Sequence, residues 1–262
     1  MLMDAAPDPK WKLWIYTNYD CNLRCAYCLA ESSPTAPRRA IGLDNAMRLV
    51  DEAVDLGCTD VFFTGGEPLV LSEIYAMLDY ASARVRTTLL TNAMLLRGSR
   101  LAKLTAIAND NLIVQVSLDG GRAEEHDAYR GAGSWARTVA GITALQGAGF
   151  RVRLSTTETL ANAAHIAEIC AFHQGLDIPE EDHFIRPLAR RGFSNEGYEL
   201  SMVSVAPELT VNSDGVFWHP LSTDADMRVS KTIFPLAAAY ERVMAQLDII
   251  RRTGSAPLIT FT

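Results

Sequence analysis

The sequence predicts an α/β fold: a partial, TIM-like (β/α)6 barrel over residues 1–190 and a small hairpin-and-helix extension over residues 191–262. Three observations carry this expectation. Between residues 12 and 188, six β-prone runs alternate with runs whose apolar residues recur at helical spacing. Such alternation calls for right-handed crossovers and a parallel sheet. No glycine fingerprint of a dinucleotide-binding sheet follows the first strand, which favours a barrel segment over an open doubly wound sheet.

Residues 12–18 form the first strand, rich in aromatic and β-branched side chains, and 43–56 a helix stopped by Gly57. Residues 60–64 form the second strand and 72–83 the next helix; 86–91 is the third strand and 99–108 its helix. The fourth strand, 112–118, leads to a helix over 134–146 that ends at Gly147 and Gly149. A fifth strand at 151–156, a helix at 162–173 and a sixth strand at 183–188 complete the array. After Arg190 the alternation stops, and 191–205 reads as irregular. Residues 208–211 and 216–218 flank Asn212-Ser213-Asp214-Gly215, a turn signal that predicts a β-hairpin. A final amphipathic helix covers 234–251, and a loosely ordered tail is expected over 252–262.

Hydrophobic residues make up 48% of the 262 and charged residues 21%, a balance that supports a large buried core. Lys and Arg (24) are outnumbered by Asp and Glu (31), giving a net charge of −7 with no basic block, which argues against a nucleic-acid partner. The N-terminus lacks the basic and apolar regions of a signal peptide, and no apolar run reaches spanning length. A cytoplasmic protein without a membrane partner is therefore expected. Of five cysteines, three are clustered, a usage that suits metal ligation in a reducing compartment better than a disulfide frame.

Cys21, Cys25 and Cys28 form a CxxxCxxC pattern directly after the first strand. Three thiolates can hold three irons of a four-iron, four-sulfur cube, and with no fourth cysteine nearby one iron keeps an open position. An open iron binds and reduces something, whereas a fully ligated cluster only passes electrons. A structural zinc site is the other reading; Cys58 and Cys170 are distant in sequence, and His165, His173, His183 or His219 could complete it only through folding. The remaining polar clusters follow strand ends: Thr64-Gly65-Gly66-Glu67-Pro68, Thr91-Asn92, Ser117 with Asp119, Thr156-Thr157-Glu158 and Arg186-Pro187. Parallel barrels build their sites on that rim.

The CxxxCxxC pattern with Tyr27 before its last cysteine, followed by Thr64–Pro68, resembles the radical S-adenosylmethionine superfamily over residues 13–188. The resemblance implies that Cys21, Cys25 and Cys28 ligate one 4Fe-4S cluster and that S-adenosylmethionine chelates the fourth iron. Reductive cleavage of the cofactor would then give a 5′-deoxyadenosyl radical that abstracts hydrogen from substrate, with flavodoxin or ferredoxin as electron donor. By the same analogy Tyr27, Thr64, Gly65, Gly66, Glu67, Pro68, Asn92, Ser117, Asp119, Thr156 and Arg186 bind the cofactor. Taken alone, the polar members fit caps and turns equally well.

Residues 117–142 resemble a branch that carries C-terminal SPASM or twitch extensions with auxiliary clusters, and the hairpin at 210–220 looks like the start of one. Where that pattern places a cysteine this chain has His219, and no cysteine follows Cys170, so the extension reads as degenerate. Without an auxiliary electron acceptor, epimerisation, rearrangement or bond formation or cleavage is favoured over dehydrogenation. The first strand starts close to the N-terminus, which favours a small metabolite (sugar, nucleoside or amino acid) in biosynthesis. Modification of a ribosomal peptide and a non-enzymatic iron–sulfur or zinc module are the alternatives. Glu158, Tyr129, Cys170 and His219 are candidates for substrate chemistry, although Cys170 and a lone histidine also suit core positions.

Overall fold

The computed structural model describes residues 10–201, 204–221 and 223–253. Six parallel strands follow in chain order, each hydrogen-bonded to the one before it: β1 (Lys12–Asn18), β2 (Asp60–Gly65), β3 (Arg86–Thr91), β4 (Leu112–Ser117), β5 (Val152–Glu158) and β6 (His183–Pro187). Between them run α1 (Leu43–Asp55), α2 (Ile74–Ser82), α3 (Gly98–Ala106), α4 (Ala123–Arg130), α5 (Ser134–Gly147) and α6 (Ile166–Gly175). The sheet stays open. On the far side of β1 it continues into β7 (Leu209–Asn212), parallel to β1, and the antiparallel β8 (Gly215–Phe217) and β9 (Arg228–Ser230). The expected hairpin is thus an extension of the barrel sheet, and α7 (Leu236–Thr253) adds Leu236, Ala239 and Val243 to the same core.

Strand alternation decides which residues reach the site. Leu13 and Ile15, Val61 and Phe63, Val114 and Val116, and Val152 and Leu154 join helix residues such as Leu49, Leu78 and Ile142 in one buried core. Their neighbours turn to the concave face, where Trp14 stacks on Phe62 with centroids 4.3 Å apart. Burial of such large apolar side chains stabilises the layer by about 1.5–3 kcal/mol each.

Three elements differ from the expectation. Helix α4 lacks an apolar stripe because its inward residues are Glu125, His126 and Arg130, all buried. The helix predicted over 162–173 begins at Ile166, after a 3-10 turn over Ala163–His165. Strand β9 is three residues long, too short to show a period. Residues 1–9, the N-terminus expected to lack a signal peptide, and 254–262 of the expected tail lie outside the described residues. Among the described residues no helix is long and apolar enough to cross a membrane.

Candidate active site

The C-terminal ends of the strands open into a cavity of about 200 Å³. Cys21, Cys25 and Cys28 line it from the loop after β1, and all three are free of disulfides. Tight turns shape that loop: Cys28 N donates to Cys25 O (3.1 Å) and Glu31 N to Cys28 O (3.2 Å). Cys21 N is tied to Ser33 O (3.2 Å) and Ala26 N to Tyr129 O (2.7 Å). Two sulfurs receive amide donors, Cys21 from Leu23 N (3.4 Å) and Cys28 from Ser32 N (3.3 Å). Burial pushes the Cys21 thiol up to about 12 and Cys25 up to about 11, so the thiolate form there calls for a bound cation. Among the described residues no three His, Cys, Asp or Glu side chains converge on a single-ion point. Three thiols on one loop, with no fourth cysteine or histidine among the described residues lining the cavity, match the donor set of a three-cysteine iron–sulfur site.

The loop after β2 meets the cysteine loop backbone to backbone. Gly66 N donates to Asn18 O (2.8 Å) and Glu67 N to Asp20 O (3.0 Å). A Cβ on Gly66 would lie 2.2 Å from Asp20 O, and Gly65 combines φ of +123° with only 2.4 Å from its virtual Cβ to Asn18 O; neither position admits a side chain. The Glu67 carboxylate is buried and accepts from Leu69 N (3.1 Å), Thr91 Oγ1 (2.7 Å) and Asn92 N (2.9 Å). Burial raises its pKa, opposed by these three donors. Glu67 thus stitches the glycine loop to the end of β3 while still lining the cavity with Thr64, Gly65 and Gly66. Pro68 opens a buried 3-10 turn over Pro68–Val70 and does not line it. Asn92 lines the cavity and donates through Nδ2 to Asn22 Oδ1 (2.9 Å), linking β3 to the cysteine loop.

Ser117, Tyr27 and Arg186 also line the cavity, whereas Asp119 and Thr156 stand behind its wall. Asp119 is fully buried; it accepts from Arg130 Nε (2.6 Å), Thr157 N (2.9 Å) and the Tyr27 hydroxyl. The Thr156 hydroxyl donates to Leu118 O (2.7 Å) and sits 2.8 Å from His183 Nε2. Thr156 shares the parity of Leu154, which faces the helices, so Ser155 and Thr157 reach the cavity in its place. Arg130, on α4, lines it as well. The parity of Leu154 was a usable signal for Ser155 and Thr157; the polar sequence of α4 offered none for Arg130.

None of the four catalytic candidates lines this cavity. Glu158 is exposed beside a second cavity of about 510 Å³, which shares Pro187 and Leu188 with the first. The Tyr129 hydroxyl donates to Glu196 Oε2 (3.4 Å), and its ring lies 6.0 Å from that of Tyr27. Cys170, on α6, has its Sγ 3.8 Å from His183 Nδ1 in the helix layer. His219 is buried and accepts from Leu221 N through Nδ1 (3.1 Å), with burial depressing its pKa to about 3.

The family model for the radical SAM superfamily matches residues 15–162. An AdoMet-dependent heme synthase of Methanosarcina barkeri is 35% identical over 183 residues, 69% of this chain and 51% of its own. Mycofactocin maturase MftC of Mycolicibacterium smegmatis is 34% identical over 171 residues, 64% of this chain and 42% of its own. This chain spans about half the length of these curated relatives. Streptococcus suis SuiB bound to S-adenosylmethionine shares the fold with a TM-score of 0.60 at 18% identity, over 96% of this chain and 50% of SuiB. SuiB has also been solved bound to its precursor peptide SuiA. The shared architecture is the partial barrel.

Proposed function

Because the chain belongs to the radical S-adenosylmethionine superfamily, we propose that it holds one 4Fe-4S cluster on Cys21, Cys25 and Cys28 and modifies a peptide substrate. The single observation that carries this reading is the meeting of three free cysteines with the Gly65-Gly66-Glu67 loop on one cavity. When bound, cluster and cofactor supply a one-electron cleavage whose 5′-deoxyadenosyl radical abstracts hydrogen. The protein's share is positioning. Gly65 and Gly66 let backbone approach the cofactor amine, and Glu67 fixes that loop against β3. Asn92, Ser117, Ser155 and Thr157 offer polar groups to the cofactor's methionyl and ribose parts. The Asp119–Arg130 pair holds Tyr27 and with it the cysteine loop.

A peptide replaces the small metabolite expected at first. A maturase among the relatives and a structural neighbour solved with its precursor peptide support the change. So does the second cavity, which shares Pro187 and Leu188 with the first and is lined by Leu160 and Tyr198, 81% and 63% exposed. The M. barkeri heme synthase favours a second reading, a macrocycle as substrate. A flavodoxin or ferredoxin would supply the electron for cleavage of the cofactor. Anaerobically reconstituted protein reduced with dithionite is expected to produce 5′-deoxyadenosine, and Cys25→Ala to abolish it. A fully loaded wild type that yields none sinks the proposal.

A further inference from the structure

Arg186 lines the cavity without a direct ion pair, the strongest opposing charge acting on it being the Glu208 carboxylate. Its β6 position pairs in register with Thr157 of β5, and both line the cavity. Nε and Nη2 are buried and have no hydrogen-bond partner, and no ion pair joins Arg186 to an acid among the described residues. The cavity wall also includes Tyr16, Leu188, Ala189 and Leu221. Tyr16 gives its hydroxyl proton to Pro220 O, and Glu208 receives the Trp14 indole N–H. One further cavity-lining group is buried and unpartnered, the Ser32 hydroxyl.

Nε–H and Nη2–H form one side of the guanidinium fork, whose two parallel donors match the two oxygens of a carboxylate. Leaving both buried donors unmade is costly, so a ligand is expected to complete them. We propose that Arg186, with the Ser32 hydroxyl, receives a carboxylate of the substrate: a peptide C-terminus or an acidic side chain. This rests on reading the cavity as a radical S-adenosylmethionine site. Arg186 adjoins Pro187 and Leu188, the residues shared with the second cavity, whereas the glycine loop, Asn92 and Ser117 lie on β2 to β4. The substrate side therefore has the first claim on it, and the cofactor's own carboxylate is the competing source.

The test uses the full chain, cluster reconstituted and saturated with S-adenosylmethionine, in anaerobic calorimetric titration with 3-phenylpropionate and its amide as probes. The acid is expected to bind about tenfold tighter than the amide. Arg186→Gln removes the preference and Arg186→Lys keeps part of it, while affinity for S-adenosylmethionine stays within about twofold in both. Circular dichroism and iron content certify that each variant is folded and loaded. An acid that binds no tighter than the amide overturns the inference, as does an Arg186→Gln protein that loses S-adenosylmethionine instead. 5′-Deoxyadenosine formation without acid preference defeats this inference alone; a loaded protein with acid preference that never cleaves the cofactor defeats the functional reading.

Discussion

Asp119 and Arg130 form a buried ion pair, 2.6 Å between Oδ2 and Nε, behind the wall that carries the cysteine loop. Asp119 also accepts from the Tyr27 hydroxyl and from Thr157 N (2.9 Å), and its carbonyl accepts from Asn162 Nδ2 (2.6 Å). One carboxylate thereby ties the cysteine loop to α4 and to the end of β5. The guanidinium and the amide donors outweigh burial and hold Asp119 below the usual carboxylate range.

Replacing Asp119 by Asn leaves Arg130 charged, buried and uncompensated, at a cost of about 3–5 kcal/mol. Urea unfolding is expected to show that loss, and iron per chain after reconstitution to fall with it, because Tyr27 loses its acceptor. The pH sign follows from the depressed folded pKa: the pair's stabilisation is present above the unfolded value near 3.8 and disappears as pH falls through the lower folded one. An Asp119→Asn protein as stable as wild type at pH 7 refutes the assignment.

Three buried histidines set a second pH dependence. His126 accepts from Asp119 N and His219 from Leu221 N, each through Nδ1, so both need a neutral ring. Burial lowers His126 to about 4, and His173 and His219 to about 3, from 6.5. Their folded forms bind fewer protons than the unfolded chain, so stability is whole above pH 6.5 and declines as pH falls from there toward those values. Each contributes a slope approaching about 1.4 kcal/mol per pH unit. His173→Phe is expected to remove one such increment in urea titrations between pH 4 and 6; an unchanged slope counts against burial as the cause.

Gly66→Ala places a methyl 2.2 Å from Asp20 O, within a backbone pair that has no room to part. A loss above about 3 kcal/mol is expected, together with loss of S-adenosylmethionine binding in anaerobic titration. Retained affinity would mean that the two loops are not in contact.

Arg186→Met replaces a cation whose Nε and Nη2 are buried without hydrogen bonds by a neutral side chain of similar length. Stability is expected to rise by about 1–2 kcal/mol, or about 2–8 °C in melting temperature for a chain of this size. A lower melting temperature would show that Arg186 supports the fold.

Much of this architecture was readable because its signals are local. Strands β1 and β3 sit where aromatic and β-branched runs put them, and the cysteine spacing marked out three side chains that the fold brings to one cavity. Signals that depend on facing were harder. Thr156 and Thr157 are alike in sequence, yet strand parity sends the first behind the wall and the second into the cavity. Helix α4 escaped notice because it buries Glu125, His126 and Arg130 in place of an apolar stripe, and its partner Asp119 lies eleven residues from Arg130, across a turn. Long-range pairing of polar groups leaves no periodic trace.

The neighbour that β7 gives to β1 has a practical consequence. A protein cut off before Leu209 would bare the amides and carbonyls from Leu13 to Ile15 on the strand that launches the cysteine turn. Such a raw ribbon invites a second molecule to zip onto it, so the short C-terminal hairpin acts as a guard against self-association, whatever else it contributes.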